Sequence, residues 1–361
     1  MRPNTIELVS ECLCKANRFT TRVPLLRLPL SATCCHCSTC RHFTGGLYTC
    51  TTAWPEQEEE EEEEEEERTE NNYPRSPFSA NADIFFCATC CTLMFFDCTE
   101  DGKASYGVIG KARELVKIRH NKFLAGTLDG GALPWTRDAN PVDMGRPRMW
   151  MDGEQVPIRC YCGGVDLVLL NPRGATGVVS PDFVDAKTGK RRVVVDACGS
   201  CSKVVGTPLT YWTTAELRHI AYPPSSISAR QFPRDTSELA AAAVEQAQSQ
   251  RGGEGKANGL GSLMVFGSSP GVQRYSCARC SATVFYAHQQ NPGQVNVALG
   301  VLRTGDDGVR AERVLAWDLP RSAVHFVDEC RSEWRKAVVE RMIASAERWN
   351  AENDRARTRY R

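Results

Sequence analysis

Between Cys34 and Arg41 the chain reads Cys-Cys-His-Cys-Ser-Thr-Cys-Arg, four thiols with an imidazole and a guanidinium in one turn's length. Thiolates at that density bind soft metal ions, form disulfides or act as nucleophiles. The full chain carries 18 cysteines in 361 residues, enough length to bury two cores without covalent staples. Its first thirty residues lack the basic start and long apolar run of a secretory signal. No stretch approaches the ~20 consecutive apolar residues that span a bilayer. A soluble, cytoplasmic protein is therefore expected, and there closely spaced cysteines are ligands or nucleophiles. The basic end "RARTRYR" leaves a nuclear location open. Formal net charge is zero, so no global field points to nucleic acid or a membrane surface as partner.

The cysteines recur in two passes. The first is Cys12 and Cys14, then Cys35, Cys37 and Cys40, then Cys87 and Cys90. The second is Cys160 and Cys162, then Asp196, Cys198 and Cys201, then Cys277 and Cys280. A repeat this long indicates two copies of a domain rather than a solenoid. Four thiolates from C-x-C plus C-x-x-C complete a tetrahedron, which suits zinc. Cys12, Cys14, Cys87 and Cys90 are read as one closed structural site, and Cys160, Cys162, Cys277 and Cys280 as another.

Cys35, Cys37 and Cys40 differ, because three protein ligands with one position left over is the pattern of a catalytic zinc. Cys34 should point to the opposite face of an extended segment. A closed four-cysteine site using Cys34 or Cys50 is the structural alternative. In the second pass the leading cysteine is Asp196 and the histidine is alanine. That triplet is either a Cys₂Asp zinc site, making a fourth ion, or a decayed copy that binds none.

These groups must be held by short strands. "RCYCGGVDLVLLNP", "RRVVVDAC", "ATVFYA" and "FFCATCCTLMFF" are rich in valine and aromatics and end on Gly, Pro or Asn. Cysteine pairs on tight turns between such strands form knuckles. Glu58 to Glu67 is an unbroken acidic run that reads as a solvated loop within an insertion at about 56–72. Asp235 and Glu238 resemble a capping box that opens a surface helix over 235–252. Near the end, Val324, Val327, Cys330, Trp334, Val338, Met342 and Ile343 recur at helical steps. That pattern predicts an amphipathic helix over 323–361, docked on its own protein or, as the second choice, joining a homodimer.

The wording of these segments resembles the glutathione-dependent formaldehyde-activating enzymes grouped with centromere protein V. The first unit shows "CLC", "CHCSTCRHFTG", "FFCATC" and "HNKFLAGTLDGG". The second shows "CYCGGVDLVL", "ACGSCSKVVGTPL" and "SSPGVQRYSCARCSATVFY". The resemblance extends to about Leu319, as two tandem units over 1–150 and 154–322. It implies a mainly β fold of two antiparallel β-tents, each complete domain with two zinc ions. It also implies carbon–sulfur lyase chemistry that joins formaldehyde to glutathione or cleaves such an adduct, with Cys35, Cys37 and Cys40 holding the catalytic zinc. His36 would shuttle a proton and Arg41 would bind a glutathione carboxylate; an orienting histidine and a solvated arginine are the plainer readings. Cys91 stands where many members carry glycine. The rival function is a zinc-stabilised interaction module without turnover, kept open by the broken second triplet and the acidic run.

Overall fold

The computed structural model describes residues 5–54, 74–79, 82–98, 105–109, 116–136, 155–172, 180–224, 231–252, 259–305, 308–317, 324–330 and 333–359. The glutamate run and the whole insertion at 56–72 lie outside these residues. So does the stretch 137–154, where the boundary between the two units was read. The architecture is mainly β, with five α-helices among the described residues.

In the first unit, β1 (Thr5–Glu11) and β2 (Arg18–Pro24) form a separate hairpin. A larger sheet joins β3 (Leu30–Cys35), β4 (Thr49–Ala53), β5 (Arg75–Ser79), β6 (Ala82–Phe86), β7 (Leu93–Cys98), β8 (Ser105–Ile109) and β9 (Val116–Lys122) in the order β5-β6-β7-β8-β4-β3-β9. Helix α1 (Ser38–Thr44) follows β3, and α2 (Leu133–Thr136) follows β9.

In the second unit, β10 (Gln155–Arg159), β11 (Asp166–Leu170) and β14 (Ile220–Ala221) form a small sheet. The larger one contains β12 (Arg191–Asp196), β13 (Thr210–Glu216), β15 (Leu263–Ser269), β16 (Val272–Cys277), β17 (Thr283–His288), β18 (Gln294–Ala298) and β19 (Leu315–Ala316). Its order is β15-β16-β17-β18-β13-β12-β19, with β20 (Val324–His325) also on β12. Helix α3 (Gly199–Val205) follows β12 as α1 follows β3. In both large sheets the strand before the short helix pairs antiparallel with the next strand and parallel with a late one.

One apolar core runs through both units, bringing Phe43, Leu47 and Trp135 together with Val195, Tyr211 and Val297. Polar contacts lock the same junction. The Gly300 N–H donates to the Gly45 carbonyl at 2.9 Å, and His42 Nδ1 donates to the Gly300 carbonyl at 2.8 Å. The "TLDGG" segment, for which the sequence suggested no role, acts here. Asp129 Oδ2 accepts the Arg310 N–H at 2.6 Å, and Arg310 Nη1 donates to the Gly131 carbonyl at 2.7 Å.

Helix α4 (Thr236–Gly252) forms where the capping pattern put it. Asp235 Oδ1 accepts the N–H groups of Ser237 and Glu238 at 2.8 and 2.9 Å, and Glu238 reaches back to the Arg234 N–H at 2.8 Å. Those bonds satisfy donors that a helix start leaves open.

Helix α5 spans Glu333–Arg359, ten residues later than the apolar steps suggested. Val324 belongs to β20, and Val327–Glu329 is a single 3₁₀ turn. Phe326 between them takes φ +59°, a left-handed conformation that a right-handed helix cannot contain. Val338, Val339, Met342, Ile343, Ala346 and Trp349 are buried within the chain itself. The Trp349 ring meets Trp135 edge-on at 5.5 Å. Each of the larger of these side chains contributes on the order of 1.5–3 kcal/mol by burial. Among the described residues no helix is long and apolar enough to cross a membrane.

Candidate metal centres

Each four-cysteine group is assembled from two turns. Cys12 and Cys14 sit on the β1–β2 turn, which closes through Cys12 N–H to the Asn17 carbonyl at 3.0 Å. Cys87 and Cys90 sit on the β6–β7 turn, closed by Cys87 N–H to the Thr92 carbonyl at 2.9 Å. Cys91 there has φ +53°, a left-handed conformation that glycine adopts more readily than other residues. Ser281 takes the same role, with φ +58°, on the β16–β17 turn that carries Cys277 and Cys280. Cys160 and Cys162 come from the β10–β11 turn.

The sulfur spacing tests whether zinc fits. Two sulfurs bound to one tetrahedral zinc at 2.3 Å lie about 3.8 Å apart, against about 2.05 Å in a disulfide. Cys12–Cys14 and Cys14–Cys87 measure 3.4 and 3.6 Å. Cys160–Cys162 and Cys162–Cys277 measure 3.7 and 3.6 Å. Within each group all four sulfurs lie within 4.8 Å of one another. Backbone N–H groups already point at them, Asn17 to Cys12 at 3.3 Å and Val165 to Cys160 at 3.2 Å. This spacing and these donors suit metal-bound sulfurs, and zinc fits both groups.

The first triplet is built at a strand–helix corner. Cys35 ends β3, Cys37 is the N-cap of α1, and Cys40 lies in its first turn. Cys37 Sγ accepts the Cys40 N–H at 3.3 Å, and Cys35 and Cys37 sulfurs are 3.5 Å apart. Gly45 ends α1 with φ +81° and fits only because it lacks a side chain: a Cβ there would overlap the Thr283 carbonyl. Thiols donated by Cys35 and Cys40 draw the Cys37 thiol far below its ordinary range. The same bonding, with burial, pushes Cys35 and Cys40 up.

Among the described residues, no fourth sulfur, imidazole or carboxylate joins this triplet. Cys34 faces the other way, fully buried in the core, and pairs in register with Cys50. Cys35 and Cys37 remain partly exposed. Zinc fits here too, with one position left for an outside ligand.

His36 is wholly buried, and its Nε2 meets Asn121 Oδ1 at 2.9 Å. Burial is the main cause that holds its basicity below that of an ordinary histidine, and Nε2 donates to the asparagine oxygen. Arg41 is also buried. Desolvation lowers its pKa, opposed by the charges of Asp129, Cys37 and Cys40. Its Nε is buried and makes no hydrogen bond.

Two residues absent from the sequence reading lie beside this corner. In the parallel β3–β9 ladder, Lys122 is opposite Cys35 and His120 opposite Thr33. Paired residues of a parallel ladder share a face, so both point to the side of Cys35. They line a cavity of about 460 Å³ with Asn121 and Thr136, within the usual size of a small-molecule site. The segment "HNKFLAGTLDGG" contained them, but only the fold sets their register.

The second triplet closes differently. Asp196 Oδ1 accepts the Cys198 N–H at 2.6 Å, and Oδ2 accepts the Cys201 thiol at 3.1 Å. The three ligand atoms again lie within 4.8 Å. A buried guanidinium, Arg274, donates two N–H groups to the Cys201 sulfur at 3.4 and 3.5 Å.

No curated protein and no solved structure matches the chain. Over residues 7–120 it matches the model of the family described as glutathione-dependent formaldehyde-activating enzyme. The match covers about a third of the chain and stops before the second unit, so the tandem extent read from the sequence is met only in its first part. It contains Cys12, Cys14, Cys35, Cys37, Cys40, Cys87 and Cys90, the cysteines of one closed and one open group, and this is the segment that resembles a formaldehyde-activating enzyme.

Proposed function

We propose that the chain is a zinc-dependent carbon–sulfur lyase of the S-(hydroxymethyl)glutathione synthase type, acting at Cys35, Cys37 and Cys40. The observation that carries this is a triplet at ligand spacing, partly exposed, with no fourth protein ligand among the described residues. Bound there, zinc supplies a Lewis-acidic position that keeps an incoming thiol deprotonated near neutral pH. The overall reaction adds the glutathione sulfur to the carbon of formaldehyde, and the thiol proton ends on the new hydroxyl. The reverse step releases both.

The chain's own residues bind and orient. Lys122, on the face of Cys35, offers a point charge to a glutathione carboxylate. Arg41, in α1 directly after Cys40, sets a buried positive charge beside the triplet. Full burial and low basicity suit His36 to positioning Asn121, through the 2.9 Å bond, rather than to shuttling a proton. The thiol's proton leaves to solvent at the partly exposed corner. Holding both reactants at the triplet would supply most of the acceleration that so simple an addition needs.

The two closed groups, Cys12, Cys14, Cys87, Cys90 and Cys160, Cys162, Cys277, Cys280, are assigned structural zinc. The matched strand orders of the two large sheets support reading 1–150 and 154–322 as two copies of one domain. A purified chain should speed exchange between formaldehyde and glutathione, followed by nuclear magnetic resonance, and Cys40→Ser should abolish the effect. Unaltered exchange with the zinc-loaded protein would remove formaldehyde from the proposal, and activity that survived in Cys40→Ser would remove the triplet.

A further inference from the structure

We propose that the second triplet is a metal-free dithiol–disulfide exchange site, in which Cys198 attacks a low-molecular-weight disulfide and Cys201 resolves the adduct. Its geometry departs from the first triplet where a metal would bind. Both oxygens of Asp196 are engaged, Oδ1 by the Cys198 N–H at 2.6 Å and Oδ2 by the Cys201 thiol at 3.1 Å. The positive charge is already present, because Arg274 places two N–H groups on Cys201 at 3.4 and 3.5 Å. Three residues before the knuckle cysteine Cys277, Arg274 holds the place that Ile84 holds before Cys87. The exchange of cysteine for Asp196 thus goes with the exchange of isoleucine for a buried arginine. A zinc ion would have to compete with that guanidinium for the same sulfur.

What remains has the parts of an exchange pair. Cys198 is partly exposed and Cys201 is buried, with two residues between them in C-G-S-C. Their sulfurs lie within 4.8 Å. A cavity of about 600 Å³ has Tyr286 and His325 in its wall, two residues that touch the triplet's neighbours rather than its sulfurs. The Tyr286 ring carries the Arg274 guanidinium at 5.3 Å, and the His325 carbonyl accepts the Ala197 N–H at 3.0 Å. The partly exposed Cys198 is the sulfur that an outside disulfide would meet first.

The step balances as follows. The Cys198 sulfur, its proton released to solvent, displaces one thiolate from the outside disulfide and forms a mixed disulfide; that thiolate takes up a proton. Cys201 then passes its proton to Asp196 Oδ2 and attacks Cys198, with Arg274 steadying the charge on its sulfur. The second thiolate leaves and is protonated in turn. One outside disulfide is reduced to two thiols, and the two cysteines are oxidised to one disulfide; two outside thiols reverse it.

Zinc-loaded full-length protein, equilibrated in glutathione and glutathione disulfide and mapped by non-reducing peptide mass analysis, tests this. The expected result is a Cys198–Cys201 disulfide that forms and disappears reversibly, while the two closed four-cysteine groups stay unmodified. Cys201→Ser should arrest the reaction as a glutathione adduct on Cys198. Asp196→Asn should slow release of the second glutathione about a hundredfold. The proposal is overturned if the wild-type chain forms no such disulfide, or if it holds a zinc ion that Cys198→Ser loses.

Discussion

Cys37→Ser separates a metal role from a structural one more cleanly than any other substitution in the chain. Cys37 is the N-cap of α1 and its sulfur accepts the Cys40 N–H at 3.3 Å. Serine is among the preferred N-cap residues and makes the same bond, so the helix keeps its cap and loses only a zinc ligand. Apparent zinc binding in structural sites is on the order of 10–16 kcal/mol. Shared among the ligands, one thiolate is worth about 3 kcal/mol, roughly a hundredfold in affinity. Apart from what the lost ion itself contributes by linkage, thermal stability should change by no more than about 1 kcal/mol. Metal analysis after dialysis against a zinc-buffering chelator should find three ions in the parent chain, for its three all-cysteine groups, and one fewer in the variant. Three ions retained in the variant would show that the triplet holds none. A collapse in melting temperature would show that its ion is structural.

Other outcomes follow from the same geometry. Lys122→Ala, which removes a charge facing Cys35, should raise the KM for glutathione about tenfold with kcat little changed; a loss in kcat alone would place Lys122 elsewhere in the reaction. Gly45→Ala forces a Cβ onto the Thr283 carbonyl at φ +81° and should cost about 3 kcal/mol in denaturant unfolding, whereas a neutral effect would mean that the junction between the units yields. His219 is buried, and desolvation, reinforced by Arg191, lowers its pKa from 6.5 to about 4. The unfolded chain therefore binds a proton that the folded one refuses, and stability should fall by about 3 kcal/mol between pH 6.5 and 4. His219→Gln should flatten that slope relative to the parent, and equal slopes would refute the assignment.

The parts of the fold that were legible are those set by neighbours in the chain. C-x-C and C-x-x-C turns announce knuckles because chelation needs both sulfurs on one tight turn, and Cys34 was read as inward-facing from strand alternation alone. Asp235 and Glu238 marked a helix start because capping is a three-residue matter. The start of α5 was misread because Val324 and Val327 continue the apolar steps, while the deciding facts are the φ of Phe326 and the pairing of β20 with β12. The contents of both triplets were legible, but their surroundings were not. Lys122 meets Cys35 across a strand pairing, and Arg274 meets Cys201 from 73 positions away. The role of Asp129 in joining the units depends on Arg310, farther still. Spacing along a chain reports which residues can share an ion, and only the fold reports which charge stands beside them.

Cadmium-113 nuclear magnetic resonance of the cadmium-substituted chain probes most directly whether an outside sulfur enters the first triplet. Three resonances are expected, and adding glutathione should shift one of them, the one missing in Cys37→Ser, into the range of the other two. If that resonance stays in place at saturating glutathione, or already lies among four-sulfur signals beforehand, the triplet is closed to thiols and the lyase chemistry proposed for it is wrong.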